Sequence, residues 1–84
     1  MNKEEIIELI KTQVANELEI DVDTIDEDEN FMRLGLDSVH AMTIMNIIKR
    51  ELNVEISPVA IFEYRTISDF AEYLVNGGED DDED

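Results

Sequence analysis

With 84 residues, 43 % of them hydrophobic, the chain is sized for one small domain with a modest core. Six Lys and Arg against 23 Asp and Glu give a formal charge of −17, which repels nucleic-acid phosphates and anionic membranes and favours basic partners. The absence of Cys removes disulfides, thiolate metal sites and thiol nucleophiles together, and points to a cytoplasmic setting.

Residues 3 to 19 place Ile6, Ile7, Ile10, Val14 and Leu18 at helical spacing, with Glu5, Glu8, Lys11 and Glu19 mainly opposite. Asn2 and Glu5 fit a capping box at its start. Residues 20 to 36 lose the period. That is a long connection for a compact domain, and Val22, Ile25, Phe31 and Leu34 read as apolar points pinning it across a bundle.

Asp37 or Ser38 can cap the next helix, which runs to about Leu52. Its apolar positions, from Val39, Ala41 and Met42 through Ile44, Met45 and Ile48, are wider than one stripe. Asn53 is its stop. Ser57 as N-cap and Pro58 at the first helical position begin a short helix ending near Tyr64. Thr66 to Val75 is the last helix, with Ile67, Phe70, Ala71 and Leu74 on one face, and Asn76-Gly77-Gly78 ends it. The expected fold is all-α: a small four-helix bundle of three main helices plus a short third one, with a long first loop. Residues 1–76 form the domain, and 77–84 a disordered acidic tail.

The segment Phe31 to Val39 concentrates the chemistry, because an apolar loop ends in Gly35 and Asp37-Ser38 then opens a helix. A Ser hydroxyl there is exposed, and a phosphate on it faces free backbone N–H groups and the positive end of the dipole. Asp-Ser before an apolar run is equally a common helix cap, and local physics leaves both readings open. Ser38 is not a nucleophile in its own right. His40, two positions on, points about 200° away on a helix of 3.6 residues per turn, and no Gly-x-Ser-x-Gly elbow is present. No catalytic residue is expected. Asp26, Asp28, Asn30 and Asp37 have EF-hand spacing, but Phe31 stands where the sharp turn needs Gly and the closing Glu is missing, so no metal site is expected either.

Leu34-Gly35-Leu36-Asp37-Ser38-Val39 resembles the attachment motif of acyl and peptidyl carrier proteins, Leu-Gly-x-Asp-Ser-Leu/Val. Phe31 sits at that family's aromatic anchor, and Ile56-Ser57-Pro58 falls near its Ile-Pro step. Ile61-Phe62-Glu63-Tyr64-Arg65-Thr66-Ile67 is similar to its Phe-Glu-x-Pro-Thr-Ile segment, and Phe70-Ala71-Glu72-Tyr73-Leu74 to its Leu-Ala-x-Tyr-Leu ending. The likeness covers about residues 3 to 75.

The resemblance implies that a phosphopantetheinyl transferase joins 4′-phosphopantetheine from coenzyme A to Ser38, and that Asp37 helps the transferase recognise its target. The terminal thiol of the arm then carries an acyl group as a thioester. Helix 38–52 becomes a recognition surface, with Leu36, Val39 and Met42 as partner-binding residues. The implied partners are acyl-loading, condensing and acyl-modifying enzymes with basic docking patches, and the chain is expected to be a monomer.

Housekeeping fatty-acid carriers keep this helix acidic, whereas His40, Thr43 and Asn46 occupy its outward positions here and Lys49-Arg50 makes its end basic. The block Phe62-Glu63-Tyr64-x-Thr66-Ile67 is similar to polyketide and nonribosomal-peptide carriers, with Arg65 departing from their frequent Pro. A carrier in polyketide-like or specialised lipid biosynthesis is therefore expected. The alternatives are a housekeeping fatty-acid carrier, an acidic helical adaptor and a calcium-binding module without a prosthetic group.

Overall fold

The computed structural model describes residues 2–76, so the acidic tail expected over 77–84 lies outside the described residues. Helix α1 (Lys3–Leu18) opens on the expected capping box: Asn2 Oδ1 accepts the Glu5 N–H at 2.9 Å, and Glu5 Oε1 accepts the Asn2 N–H at 3.1 Å. Helix α2 (Ser38–Leu52) stops at Asn53, whose φ of 55° is left-handed, and the Val54 N–H closes onto the Lys49 carbonyl at 3.2 Å. A short α3 (Ala60–Glu63) and α4 (Ile67–Val75) complete the order. Among the described residues no helix is long and apolar enough to cross a membrane.

Two contacts between helix ends mark the relative directions. His40 at the start of α2 lies 3.7 Å from Glu17 at the end of α1, while Lys3 at the start of α1 lies 3.2 Å from Glu72 towards the end of α4. Both α2 and α4 therefore run antiparallel to α1. Between them Ile10, Val14, Ile48 and Ile67 are the innermost side chains, each stabilising the fold by about 1.5–3 kcal/mol relative to exposure. Phe70 packs edge-on against Phe31 and Tyr73, with ring centroids 6.0 and 5.8 Å away, the arrangement that ring quadrupoles favour.

The first connection is more ordered than its composition suggests. A 3₁₀ turn (Val22–Thr24) is capped by Asp21, whose Oδ1 accepts the Asp23 N–H at 3.2 Å. Ile25 and Phe31 are buried, and Val22 and Leu34 are half-buried, so the apolar points do pin the loop. Backbone bonds then tie it to the start of α4. Phe31 donates to the Arg65 carbonyl at 2.8 Å, Ser68 donates to the Glu27 carbonyl at 3.0 Å, and Asn30 bridges Thr66.

The start of α3 differs from expectation. Ser57 does not cap it: the Ala60 N–H closes a turn onto the Ser57 carbonyl at 3.0 Å, and the helix begins at Ala60 behind Val59. Pro58 lies within that turn. The segment is held by Tyr73, whose hydroxyl accepts the Ser57 N–H at 3.1 Å. Thr66, expected inside the last helix, is its N-cap, with Oγ1 accepting the Asp69 N–H at 3.0 Å.

Candidate functional site

The approach to α2 is a single tight turn. The Leu36 N–H bonds the Phe31 carbonyl at 3.2 Å, and the Gly35 N–H bonds the Met32 carbonyl at 3.1 Å. This is the Schellman pattern, and Gly35 occupies its left-handed position with φ 103°, a backbone that a side chain would strain. The turn sends Leu36 inward. At 3 % exposure Leu36 belongs to the core with Phe31, which corrects its expected place on a partner surface.

Asp37 is the N-cap of α2. Its Oδ1 accepts the His40 backbone N–H at 2.9 Å, and that bond, reinforced by the imidazole, holds the carboxyl below the ordinary value of 3.8. Ser38 is therefore the first helical residue and not the cap. Its side chain is exposed, and its hydroxyl makes no hydrogen bond among the described residues. The cap is already filled, so the hydroxyl is free for chemistry.

His40 takes no part in activating it. Its Nδ1 lies 3.0 Å from Asp37 Oδ1, off the hydrogen-bond direction, and its Nε2 lies 3.7 Å from Glu17. The expected outward position is corrected: His40 is half-buried, because the end of α1 crosses its side of α2. Thr43 and Asn46 are exposed as expected.

Beside Ser38 a cavity of about 220 Å³ opens between the turn, α2 and α3. Phe31, Leu36, Ala41, Met42, Ile61 and Phe62 make most of its wall. Val39 is 72 % exposed and Phe62 60 %, and Met32 and Met42 are also exposed, so apolar surface surrounds the serine. The sequence alone did not single out Met32, Phe62 or Arg65 as lining this cavity. The available signal was the brevity of α3, in which Ala60 takes the buried position and leaves Phe62 outside. A free hydroxyl at a helix start beside an apolar cavity fits a phosphate-linked, largely aliphatic arm.

The acidic loop does not gather into an ion site. Asp26 Oδ1 accepts the Asp28 N–H at 2.9 Å, Asn30 Oδ1 accepts the Met32 N–H at 2.8 Å, and Asp37 caps α2. Each side chain closes its own turn, and among the described residues no three His, Asp or Glu side chains form a metal-holding group.

Residues 8–74 match the family described as "Phosphopantetheine attachment site". The chain is 32 % identical to the polyketide synthase PksL of Bacillus subtilis over 86 % of its own length, but spans only 2 % of that protein. An acyl carrier protein of Phytoplasma australiense is 33 % identical over 82 % of this chain and 92 % of its own. Among solved structures, a free-standing peptidyl carrier protein from an uncharacterized secondary metabolic pathway of Acinetobacter baumannii is 35 % identical. It superposes with a TM-score of 0.84 over 89 % of this chain and 94 % of its own. The family match, the all-helical fold and the free serine at the first position of α2 converge: the chain belongs to the phosphopantetheine-attachment family of carrier proteins, whose prosthetic group is covalently attached 4′-phosphopantetheine.

Proposed function

We propose that Ser38 Oγ is the attachment point and that the chain carries acyl intermediates in a polyketide-like or other specialised biosynthetic pathway. The observation that carries this reading is the exposed, unbonded hydroxyl of Ser38, left free because Asp37 caps the helix. The arm, when bound, supplies the thiol that this Cys-free chain lacks and holds the acyl group as a thioester.

The chain's own residues present and orient the arm. The positive end of α2 favours an anion on Ser38. Asp37, exposed and ionised, is the charge a phosphopantetheinyl transferase reads before the serine. Val39 and Met42, with Met32 and Phe62, form the apolar surface on which acyl-loading, condensing and acyl-modifying enzymes dock. The surrounding negative charge steers the basic patches of those enzymes to it. Likeness to polyketide synthases and to a peptidyl carrier supports the pathway class, and the lack of Cys fits a reducing, cytoplasmic setting.

Peptide mapping after treatment with a broad-specificity transferase and coenzyme A tests the assignment. The arm is expected on the peptide containing Ser38. Its appearance on Ser57 or Ser68 instead would overturn the reading.

A further inference from the structure

Arg65 stands apart in the charge pattern of the chain. Lys3, Lys11, Arg33 and Lys49 each lie between 3.0 and 3.9 Å from a carboxylate. Arg65 and Arg50 pair with no carboxylate among the described residues, and of these two only Arg65 lines the cavity that also holds Ser38. Among the described residues, a guanidinium with no carboxylate partner thus lines the same cavity as Ser38, in a chain with 23 acidic residues.

Its local geometry leaves it ready for an anion. Arg65 Nε donates to the Phe62 carbonyl at 2.9 Å, which tethers the guanidinium at the end of α3 and leaves the paired Nη donors uncommitted. Asn30 is its neighbour, through the bridge to Thr66 and the 2.8 Å bond from the Phe31 N–H to the Arg65 carbonyl. Asn30 Oδ1 is spent on the Met32 N–H at 2.8 Å, so its remaining amide function is a donor. Besides Asp37 and Ser38, the largely apolar wall thus carries two further donor groups, one of them cationic.

Resting on the reading of Ser38 as attachment point, we infer that Arg65, assisted by Asn30, is the anion-holding residue for the arm over the cavity between α2 and α3. The group it holds is an anionic oxygen group delivered by the arm: its own phosphodiester, or the carboxylate of a dicarboxylic acyl cargo. A guanidinium fork matches either group in bidentate fashion, which an ammonium does not. Any such anion is repelled by the Asp37 carboxylate next to Ser38, and Arg65 is the cation on the same cavity that offsets it. At about 220 Å³ the cavity falls below the ~300–1,000 Å³ of pockets for drug-sized ligands, so it suits a segment of the arm or a short cargo. Arg65 is on this account a positioning residue, occupying the place where the resembling carriers often have Pro.

The test uses the full chain with ¹⁵N-labelled arginine in four forms: unmodified, arm-bearing, butyryl-loaded and succinyl-loaded, the last three made with a transferase and the matching coenzyme A compounds. The Nε–Hε signals of Arg33, Arg50 and Arg65 are followed together with the ³¹P resonance of the arm. Arg65 is expected to shift on loading while Arg33 and Arg50 stay in place. A shift in every loaded form, with the ³¹P resonance displaced in Arg65→Gln, identifies the phosphodiester; a shift confined to the succinyl form identifies the cargo carboxylate. Arg65→Lys should restore only part of either effect. Should the Gln variant fail to fold by circular dichroism, the wild-type Arg65 signal still decides. Failure to load at all would refute the Ser38 reading, whereas successful loading with the Arg65 signal unmoved in every form would overturn this inference alone.

Discussion

Asp37 holds His40 by its backbone: Oδ1 accepts the His40 N–H at 2.9 Å, while the ring Nδ1 of the same residue lies 3.0 Å away, off the hydrogen-bond direction. One carboxylate therefore caps α2 and leaves the next residue, Ser38, with an unspent hydroxyl. The proposed recognition of Asp37 by a transferase can be separated from its capping. Asp37→Ala removes the cap and should lower the melting temperature by a few degrees. Asp37→Asn keeps a capping oxygen and should melt close to wild type. Slow modification of the Asn variant by a transferase would then report recognition of the charge, and an unchanged rate would confine Asp37 to capping.

The same carboxylate sets an acid limit to the cap. Its pKa is lowered by the His40 N–H, so its contribution is present in full above the unfolded value of 3.8 and is lost as pH falls through the lower folded value. Urea titrations of wild type and Asp37→Ala should show a constant stability gap from neutral pH to about pH 4, closing only below that. A gap that closes between neutral pH and about pH 5 would contradict the lowered value.

Val39 and Met42 present apolar surface next to Ser38 without belonging to the buried core. Val39→Asp should change folding stability by no more than about 0.5 kcal/mol, as for ordinary surface changes. It should nevertheless weaken partner docking severely, because a charge would be buried in a desolvated contact. Thermal melts and pull-downs with a condensing enzyme separate the two effects. Met42→Asp should behave similarly, with some added cost because Met42 also lines the cavity. An unfolded Val39→Asp variant would return that residue to the core.

Tyr73 anchors the turn before α3 through its hydroxyl and stacks on Tyr64 at a centroid distance of 4.7 Å. Tyr73→Phe keeps the ring and removes only the acceptor for the Ser57 N–H. The expected loss is about 0.5–1.5 kcal/mol, measured by denaturant titration. Amide exchange at Ser57 should accelerate more than exchange within α1. Uniform acceleration across the chain would show that the bond does not act locally.

The main helices were legible because their information is local. Ile6, Ile10 and Val14 recur at the helical period, and Asn2 with Glu5 closes a cap within one turn. Ser57-Pro58 misled because the deciding partner, Tyr73, lies sixteen positions away and takes the Ser57 N–H into a turn. His40 misled for a similar reason: a helical wheel drawn on α2 does not contain Glu17 of α1. At the site, the motif around Ser38 was readable as a string of residues. Leu36 was not, since the left-handed Gly35 turns it inward against the apparent surface pattern. The cavity was illegible too, because its far wall comes from Ile61, Phe62 and Arg65.

Intact-mass measurement of wild type and Ser38→Ala decides whether the free hydroxyl of Ser38 bears the prosthetic group. Both proteins are incubated with coenzyme A and a broad-specificity transferase after circular dichroism has shown the variant to be helical. Since Asp37, and not Ser38, caps α2, the variant should fold. Wild type should gain the mass of one phosphopantetheinyl group, and Ser38→Ala should gain nothing. A wild-type chain that stays unmodified, or a Ser38→Ala chain that is loaded equally, would show that Ser38 is not the attachment point.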